Sequence, residues 1–260
     1  GQMSYWGAQV IISLFGAIPY IGESLELWVR GDYYISGITV SRFFALHVVA
    51  LPLVLIALVF LHLVALHEVG AGNPEGVDIE EHLDEDGVPL DSVPFFPYKV
   101  LNALVAIGVF MTVFSIIMFF FPEGGGYFIE MANFQEANPL VTPDHIAPVW
   151  YYAPFYTMLR AIPDPLGGLI VMAAAVAIFF IVPWLDRSKV ASIRYKGIYS
   201  KIARTMFGVS FLTLGYLGTV GVTEVRKTMS VICTIIYFAY FLLMPIYTKY
   251  ETTKEVPERL

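Results

Sequence analysis

The chain has 260 residues, of which 57% are hydrophobic and only 14% are charged, and its mean hydropathy is +0.69. This composition excludes an ordinary soluble domain and predicts a single polytopic membrane unit in contact with lipid, with no nucleic-acid partner. The formal charge of −7 is largely local, because residues 68–91 hold nine of the 22 acidic side chains. The single cysteine, Cys233, excludes a disulfide framework and a covalent heme motif.

Two short helices are predicted at the start of the chain. Gly16, Pro19 and Gly22 interrupt residues 1–36, so the apolar pieces between them are too short to cross a bilayer. Aromatic side chains such as Trp28 are of the kind that lies at a membrane interface. We therefore expect residues 1–36 to form a helical hairpin on the membrane surface. Because the first residue is glycine, we also expect the chain to begin partway through a longer protein.

Five spanning helices are predicted after the hairpin, which makes the expected fold all-α and polytopic. Their apolar runs cover residues 41–69, 98–121, 166–185, 202–220 and 229–247. An acidic loop follows the first span, and a long loop rich in proline and aromatic residues covers 122–165. We divide the chain into the hairpin (1–36), the first span with the acidic loop (37–97), and the four remaining spans (98–260).

The basic residues predict the orientation of these spans. If the loops alternate between the two sides of the membrane, ten Lys and Arg residues fall on one side and five on the other. The side with ten is expected to be cytoplasmic. The five on the outer side are Arg30, Arg42, Arg160, Arg226 and Lys227.

Two histidines lie within the first spanning segment. His47 and His62 are fifteen residues apart, a spacing that leaves their rings about 60° apart around a regular helix and about 22 Å apart along it. Neutral imidazole is a common iron ligand, so this spacing suits two hemes stacked across a membrane. Each ring has an alternative role as a hydrogen-bonded packing residue, and this helix by itself does not decide between the two.

The long loop contains a concentration of aromatic rings beside prolines. Such residues build a rigid apolar wall, which suits a flat hydrophobic ligand such as a quinol ring. The alternative is an interfacial aromatic belt without a ligand. The residues concerned are Pro148, Trp150, Tyr151, Tyr152, Pro154, Phe155 and Tyr156.

Several segments of the chain resemble one family. Pro148-Val149-Trp150-Tyr151 is similar to the Pro-Glu-Trp-Tyr motif of cytochrome b, the central subunit of ubiquinol:cytochrome c oxidoreductase (the cytochrome bc complex, respiratory complex III). GQMSYWGAQVI and AIPYIG resemble the family's surface hairpin, and RFFALH and HLVALHE resemble its fourth transmembrane helix. NPLVTP, LRAIPDPLGG and LLMP resemble its later landmarks. The resemblance covers nearly the whole chain and implies the C-terminal part of cytochrome b, without the first transmembrane helices.

The resemblance implies a quinol–cytochrome c reductase of a bacterial inner (cytoplasmic) membrane. Quinol would be oxidised near the outer face, with one electron passing to a Rieske iron–sulfur protein and then to a cytochrome c-type heme subunit. The other electron would pass through two non-covalent b-type hemes to quinone at the inner face, coupled to proton translocation. A homodimeric complex is expected. The alternatives are a heme-free proton-coupled membrane transporter and a non-catalytic membrane scaffold.

The resemblance also implies roles for residues of the first span. His47 matches a ligand of the outer heme b and His62 a ligand of the inner one. Arg42 precedes His47 and is placed to neutralise a heme propionate, although a snorkelling interfacial arginine is an equal alternative. The family's partner histidines lie on an earlier helix, so we expect a segment outside this chain to supply the second ligand of each iron.

The quinol-oxidation motif departs from the family at one position. Val149 replaces the usual glutamate and cannot accept a quinol proton. Among Glu130, Asp144 and His145 in the same loop, we favour Glu130 as the acceptor, because its apolar neighbours would raise its pKa. The alternative is that Glu130 is simply solvated. Tyr156 matches a family tyrosine beside the bound quinol and the iron–sulfur docking surface.

The spacing of the two heme histidines is a second departure. It is fifteen residues here, as in the chloroplast-type relative, against fourteen in mitochondrial-type proteins. One added residue before Pro52 turns a helix by about 100°, which bending near the proline can absorb. Because the chain continues past this helix instead of ending after it, we expect a bacterial bc-type protein.

The inner quinone-reduction site is the third departure. His67 matches a family quinone contact, but the family's Lys-Asp pair is missing, and Lys99 and Asn102 are the polar candidates in its place. Asn102 can hydrogen-bond a quinone carbonyl but cannot deliver a proton. Glu68 or His82 would then have to supply that proton, although a solvated loop is the simpler role for His82.

Overall fold

The computed structural model describes residues 1–124, 128–129, 131–138, 140–143 and 146–260. All regular elements in these ranges are helices, which confirms the predicted all-α fold. Residue contacts divide the chain into two compact units. One contains Met3–Ala71 and Ala137–Glu255, and the other contains Gly72–Glu136 and Val256–Leu260. The division at residues 36 and 97 stays a prediction from sequence.

The chain opens with two short helices, α1 (Gln2–Phe15) and α2 (Gly22–Arg30), as the hairpin prediction required. Trp6 and Ile12 are the buried side chains of α1. The Tyr5 hydroxyl donates a hydrogen bond to the carbonyl of Ile35 at 2.7 Å, which ties α1 to the segment that follows α2.

The next element is a continuous helix, α3 (Gly37–Val69), of 33 residues. Thr39 fixes its start, because the Thr39 hydroxyl accepts from the Ser36 N–H at 3.2 Å and donates to the Arg30 carbonyl at 2.7 Å. No residue in the most apolar 18-residue window of α3 is buried within the chain. A helix that is apolar on all sides and bare along its length needs lipid or other helices around it.

One turn of α3 is wider than an α-helical turn. Leu46–Ala50 forms a π-helical turn, in which the Leu51 N–H donates to the Leu46 carbonyl five residues back. Pro52 explains its position, since a proline ring clashes with the carbonyl four residues earlier in a regular helix and has no N–H to offer it. A π-helical turn accommodates one extra residue within an otherwise regular helix.

The packed core lies in the later helices of the same unit. These are α5 (Ala153–Ala161), α6 (Pro165–Leu185), α7 (Ile198–Gly218), α8 (Glu224–Leu242) and α9 (Met244–Tyr250). Met158, Leu214 and Phe241 are among the side chains buried in the core. Tyr237 is fully buried there as well, and its hydroxyl donates to the Ala175 carbonyl at 2.7 Å, so the buried hydroxyl is satisfied.

The second unit contains the acidic loop and the helix α4 (Phe95–Phe120). The guanidinium of Arg259 pairs with the carboxylate of Asp91 at 3.1 Å and joins the last residues of the chain to this loop. The hydrogen bond from Arg259 holds the pKa of the Asp91 carboxyl below its usual range.

Four of the described helices are long and apolar enough to cross a membrane, namely α3, α4, α6 and α8. The predicted span at 202–220 is also a helix, α7, whose 21 residues extend about 32 Å. It is less apolar than the other four because it includes Lys201, Arg204 and several glycine and hydroxyl residues. The chain is therefore a multi-pass membrane protein.

Candidate functional site

The two histidines of α3 that were predicted to bind iron have no hydrogen-bond partner among the described residues. His47 lies in the π-helical turn, His62 lies about two turns before the helix ends, and both are exposed at the surface of the unit. His67 differs, because its Nδ1 lies 2.8 Å from the carbonyl of Leu63 and donates to it. The alternative role of His47 and His62 as hydrogen-bonded packing residues therefore lacks its hydrogen bond within the described part of the chain.

Both imidazoles fit the axial ligation of a heme iron. Their ring nitrogens are uncommitted and accessible, and the neighbours of His62, Leu61 and Leu63, are aliphatic. Because the π-helical turn takes up one residue, the angle between His47 and His62 corresponds to fourteen regular residues, about 40° around the helix. The two rings share one face of α3.

Arg42 has a definite partner within the chain. Its Nη1 donates to the carbonyl of Trp28 at 2.6 Å, near the end of α2, where helix carbonyls lack intrahelical partners. Arg42 thus fixes the corner between the surface hairpin and α3, a role that the sequence did not reveal. The contact uses one of five guanidinium N–H donors, so others are free for a carboxylate.

Gly31 makes this corner possible. Its φ is +77°, in the left-handed region, and a Cβ atom there would lie 2.6 Å from the Arg42 Nη1 atom. Only glycine meets both requirements.

Replacing Gly31 with alanine is expected to destabilise the protein by about 1–2 kcal/mol or more, from backbone strain and displacement of Arg42. The thermal unfolding midpoint of the purified protein would measure the loss. Gly37→Ala is the matched control, since Gly37 begins α3 with open space around it. Equal unfolding midpoints for the two variants would contradict this role of Gly31.

The predicted aromatic wall precedes α5. Val149 begins a turn in which the Tyr152 N–H donates to the Val149 carbonyl at 2.9 Å. The Trp150 and Tyr151 rings meet edge to face at 5.5 Å, and Trp150 is 80% exposed. Pro148, which precedes them, is half-buried. The wall therefore presents rings to whatever surrounds the unit.

Three residues of the loop before this wall were predicted as candidate proton acceptors. Glu130, Asp144 and His145 lie outside the described residues. The preference for Glu130 stays a prediction from sequence.

Tyr156 lies on α5, which packs tightly against α7. The Thr157 hydroxyl is buried and lies 2.7 Å from the Leu214 carbonyl, to which it donates. A Cβ atom on Gly218 would approach the Ala153 carbonyl oxygen to 2.4 Å, so a glycine is required where the two helices meet. These contacts fix the position of Tyr156, whose hydroxyl has no partner among the described residues.

Arg160 is a residue at this site that sequence reasoning did not single out. Its guanidinium carbon lies 4.3 Å from the centre of the Tyr156 ring, and its Nη2 donates to the Leu217 carbonyl at 2.9 Å. Arg160 therefore holds the Tyr156 ring and the end of α7 together. The four-residue spacing of Tyr156 and Arg160 on one helix was the available signal.

The candidate residues of the inner quinone site fall in different units. His67 lies near the end of α3 in the first unit, and Asn102 and Lys99 lie near the start of α4 in the second. Their pairing around one quinone stays a prediction.

Comparison with known proteins places the whole chain in one group. The family described as cytochrome b(N-terminal)/b6/petB matches residues 1–154, and the family described as cytochrome b(C-terminal)/b6/petD matches residues 136–238. Cytochrome b of Allochromatium vinosum is 53% identical over all of this chain and 64% of its own length. Cytochrome b of Rickettsia prowazekii is 43% identical over all of this chain and 63% of its own length.

A solved structure described as a hyperthermophilic respiratory Complex III is also similar. The TM-score is 0.84 at 32% sequence identity, over 96% of this chain and 64% of the other. The chain thus spans somewhat less than two thirds of the length of these relatives.

Proposed function

The chain belongs to the cytochrome b family, and from this premise we propose that it is the quinol-oxidising membrane subunit of a bacterial quinol:cytochrome c oxidoreductase. The family implies b-type heme binding. Quinol is oxidised near the outer face and quinone is reduced near the inner face, coupled to proton translocation. The observation that carries the proposal is the pair of exposed, hydrogen-bond-free imidazoles on one face of α3.

His47 would hold the outer heme b and His62 the inner one, each through a ring nitrogen. An imidazole without a partner in hydrocarbon is costly, and coordination of iron removes that cost. When bound, the hemes carry electrons between the two faces of the membrane. Arg42, through its remaining N–H donors, neutralises a propionate of the outer heme.

Pro148, Val149, Trp150 and Tyr151 form one wall of the quinol-oxidation pocket. The exposed rings offer a flat apolar surface, which binds a quinol ring by apolar contact and excludes water. Tyr156 contributes a hydroxyl that is free to hydrogen-bond a quinol oxygen, on a ring held in place by Arg160.

Glu130 accepts a proton from the quinol, because Val149 in the motif cannot. Replacing Glu130 with glutamine is expected to slow quinol oxidation by roughly 10²-fold, the lower end of what a general base contributes. The rate of quinol-dependent cytochrome c reduction by the purified complex measures this.

Asp144→Asn is the control for that variant, since it removes a carboxylate from the same loop. A larger effect of Asp144→Asn than of Glu130→Gln would refute the choice of Glu130.

His67 contacts quinone at the inner site. The N–H of His67 already donates to the Leu63 carbonyl, so the other ring nitrogen is left to accept from a reduced quinone. Asn102 can donate to a quinone carbonyl but cannot supply a proton.

The partners of the subunit are a Rieske iron–sulfur protein and a cytochrome c-type heme subunit, in a homodimeric complex of the bacterial cytoplasmic membrane. The exposed Trp150 and Tyr151 are available to a docking protein as well as to quinol.

The test of the function is the purified complex itself. We expect b-type heme absorbance and quinol-dependent reduction of cytochrome c. A colourless complex would instead favour a heme-free proton-coupled transporter, which the family assignment disfavours.

A further inference from the structure

The aromatic wall ends in a positive charge. Tyr152, Tyr156 and Arg160 follow one another at four-residue intervals, which places them on one side of α5 behind the rings of Trp150 and Tyr151. The guanidinium carbon of Arg160 lies 4.3 Å from the centre of the Tyr156 ring, well within the roughly 6 Å over which a cation attracts an aromatic face.

The guanidinium of Arg160 is itself held in place. Its Nη2 donates to the Leu217 carbonyl at 2.9 Å, at the end of α7. The cavity beside it, which Thr157 and Ser230 also line, has a volume of about 10 Å³ and room for about one water molecule. The guanidinium therefore has no space there to swing away from the Tyr156 ring.

The charge of Arg160 is available to this ring. The carbonyl of Leu217 is a neutral acceptor, and among the described residues no carboxylate forms a salt bridge with Arg160. Arg160 and Tyr156 are both half-buried, and a cation–π contact is stronger there than at an open surface because less water surrounds the cation.

The ring of Tyr156 has no second attachment in the described part of the chain. Its hydroxyl makes no hydrogen bond there, whereas the hydroxyl of the next residue, Thr157, donates to the Leu214 carbonyl. The backbone of α5 is thus fixed against α7, but the direction of the Tyr156 hydroxyl depends on the contact between the ring and Arg160.

We propose that Arg160 is a positioning residue of the quinol-oxidation site. It acts on quinol only through the ring of Tyr156, by holding the Tyr156 hydroxyl where it hydrogen-bonds a quinol oxygen. This inference rests on the proposed function, and it adds a residue beyond the Pro148–Tyr151 motif to the site. A hydrogen bond made equally to the bound substrate and in the transition state lowers the KM and leaves kcat unchanged.

Steady-state quinol oxidation by the purified complex tests the proposal. Arg160→Gln removes the charge and should raise the KM for quinol about fivefold at unchanged kcat, which corresponds to about 1 kcal/mol, the share of one cation–π contact. Arg160→Lys keeps a cation and should raise the KM by less than about twofold. Equal KM values for the two variants would show that the charge of Arg160 does not position Tyr156.

Arg226→Gln is the matched control. Arg226 also donates to a backbone carbonyl, that of Gly221 at 2.8 Å, but makes no cation–π contact among the described residues. We expect this variant to keep the KM and the kcat of the unmodified complex.

A double-mutant cycle separates the positioning of Tyr156 from a general loosening of α5. In a Tyr156→Leu background, Arg160→Gln should leave the KM for quinol unchanged, because the ring on which Arg160 acts is gone. An unchanged KM in the single Arg160→Gln variant, or the same rise with and without Tyr156, would overturn the proposal. Absence of quinol oxidation by the unmodified complex would instead reject the proposed function, and this inference with it.

Discussion

Replacing His62 with leucine is expected to remove the inner of the two proposed b-type hemes, which would halve the heme content of the complex from two per chain to one. Leucine has no lone pair to offer iron, but it is apolar and a strong helix former, so α3 remains in the membrane. The reduced-minus-oxidised spectrum should lose one of two α-band components, and an immunoblot of the membrane fraction should show unchanged amounts of the chain. The effect is large because a heme iron that loses this ligand is expected to be absent and not merely bound more weakly.

His67→Leu is the matched control. It removes an imidazole from the same helix five residues later, where the ring is already bonded to the Leu63 carbonyl. We expect both α-band components to survive in this variant. Unchanged heme content in His62→Leu, or equal loss in the two variants, would reject His62 as an iron ligand.

The sequence predicted the positions of the helices well because apolar runs and their breakers are local signals. The span expected at 41–69 is α3 (Gly37–Val69), and the span expected at 166–185 is α6 (Pro165–Leu185). The hairpin helices were placed by the glycine and proline residues between them, and Gly16 does follow the end of α1. In each case the length of an apolar run and the position of its breaker determine the element.

The contacts of the site could not be predicted in the same way, because they join residues that are distant in sequence. Arg42 was expected either to bind a propionate or to snorkel to the interface, and the structure shows a third role, a hydrogen bond to Trp28 fourteen residues earlier. Arg160 bonds to Leu217 across 57 residues. No periodicity or spacing encodes such pairs, since they depend on how α5 packs on α7.

The π-helical turn was predictable from the sequence only in part. The resemblance to the family implied that one residue before Pro52 had to be absorbed, and bending near the proline was the expected means. The structure instead widens the turn at Leu46–Ala50, which relieves the proline clash and takes up the residue at one place. The widened turn contains His47, so the geometry of the proposed outer heme ligand depends directly on it.

Two single-residue deletions in α3 are expected to differ sharply in their effect on heme. Deleting Val49 removes a residue from the π-helical turn, which can close to a regular turn and leave His62 at about the same angle to His47. Deleting Leu58 removes a residue from the regular part of α3, which turns His62 by about 100° away from that face. We expect the Val49 deletion to retain both hemes and the Leu58 deletion to lose the inner one.

Comparing the two deletions separates the effect of the π-helical turn from the effect of losing one residue. Both variants have the same length and the same fourteen-residue spacing between the histidines, so a regular helix throughout would give them identical spectra. Heme content per chain and the α-band spectrum of each purified complex measure the difference. Equal heme content in the two deletions would show that the π-helical turn does not set the angle of His47, whereas heme loss confined to the Leu58 deletion assigns the extra residue to that turn.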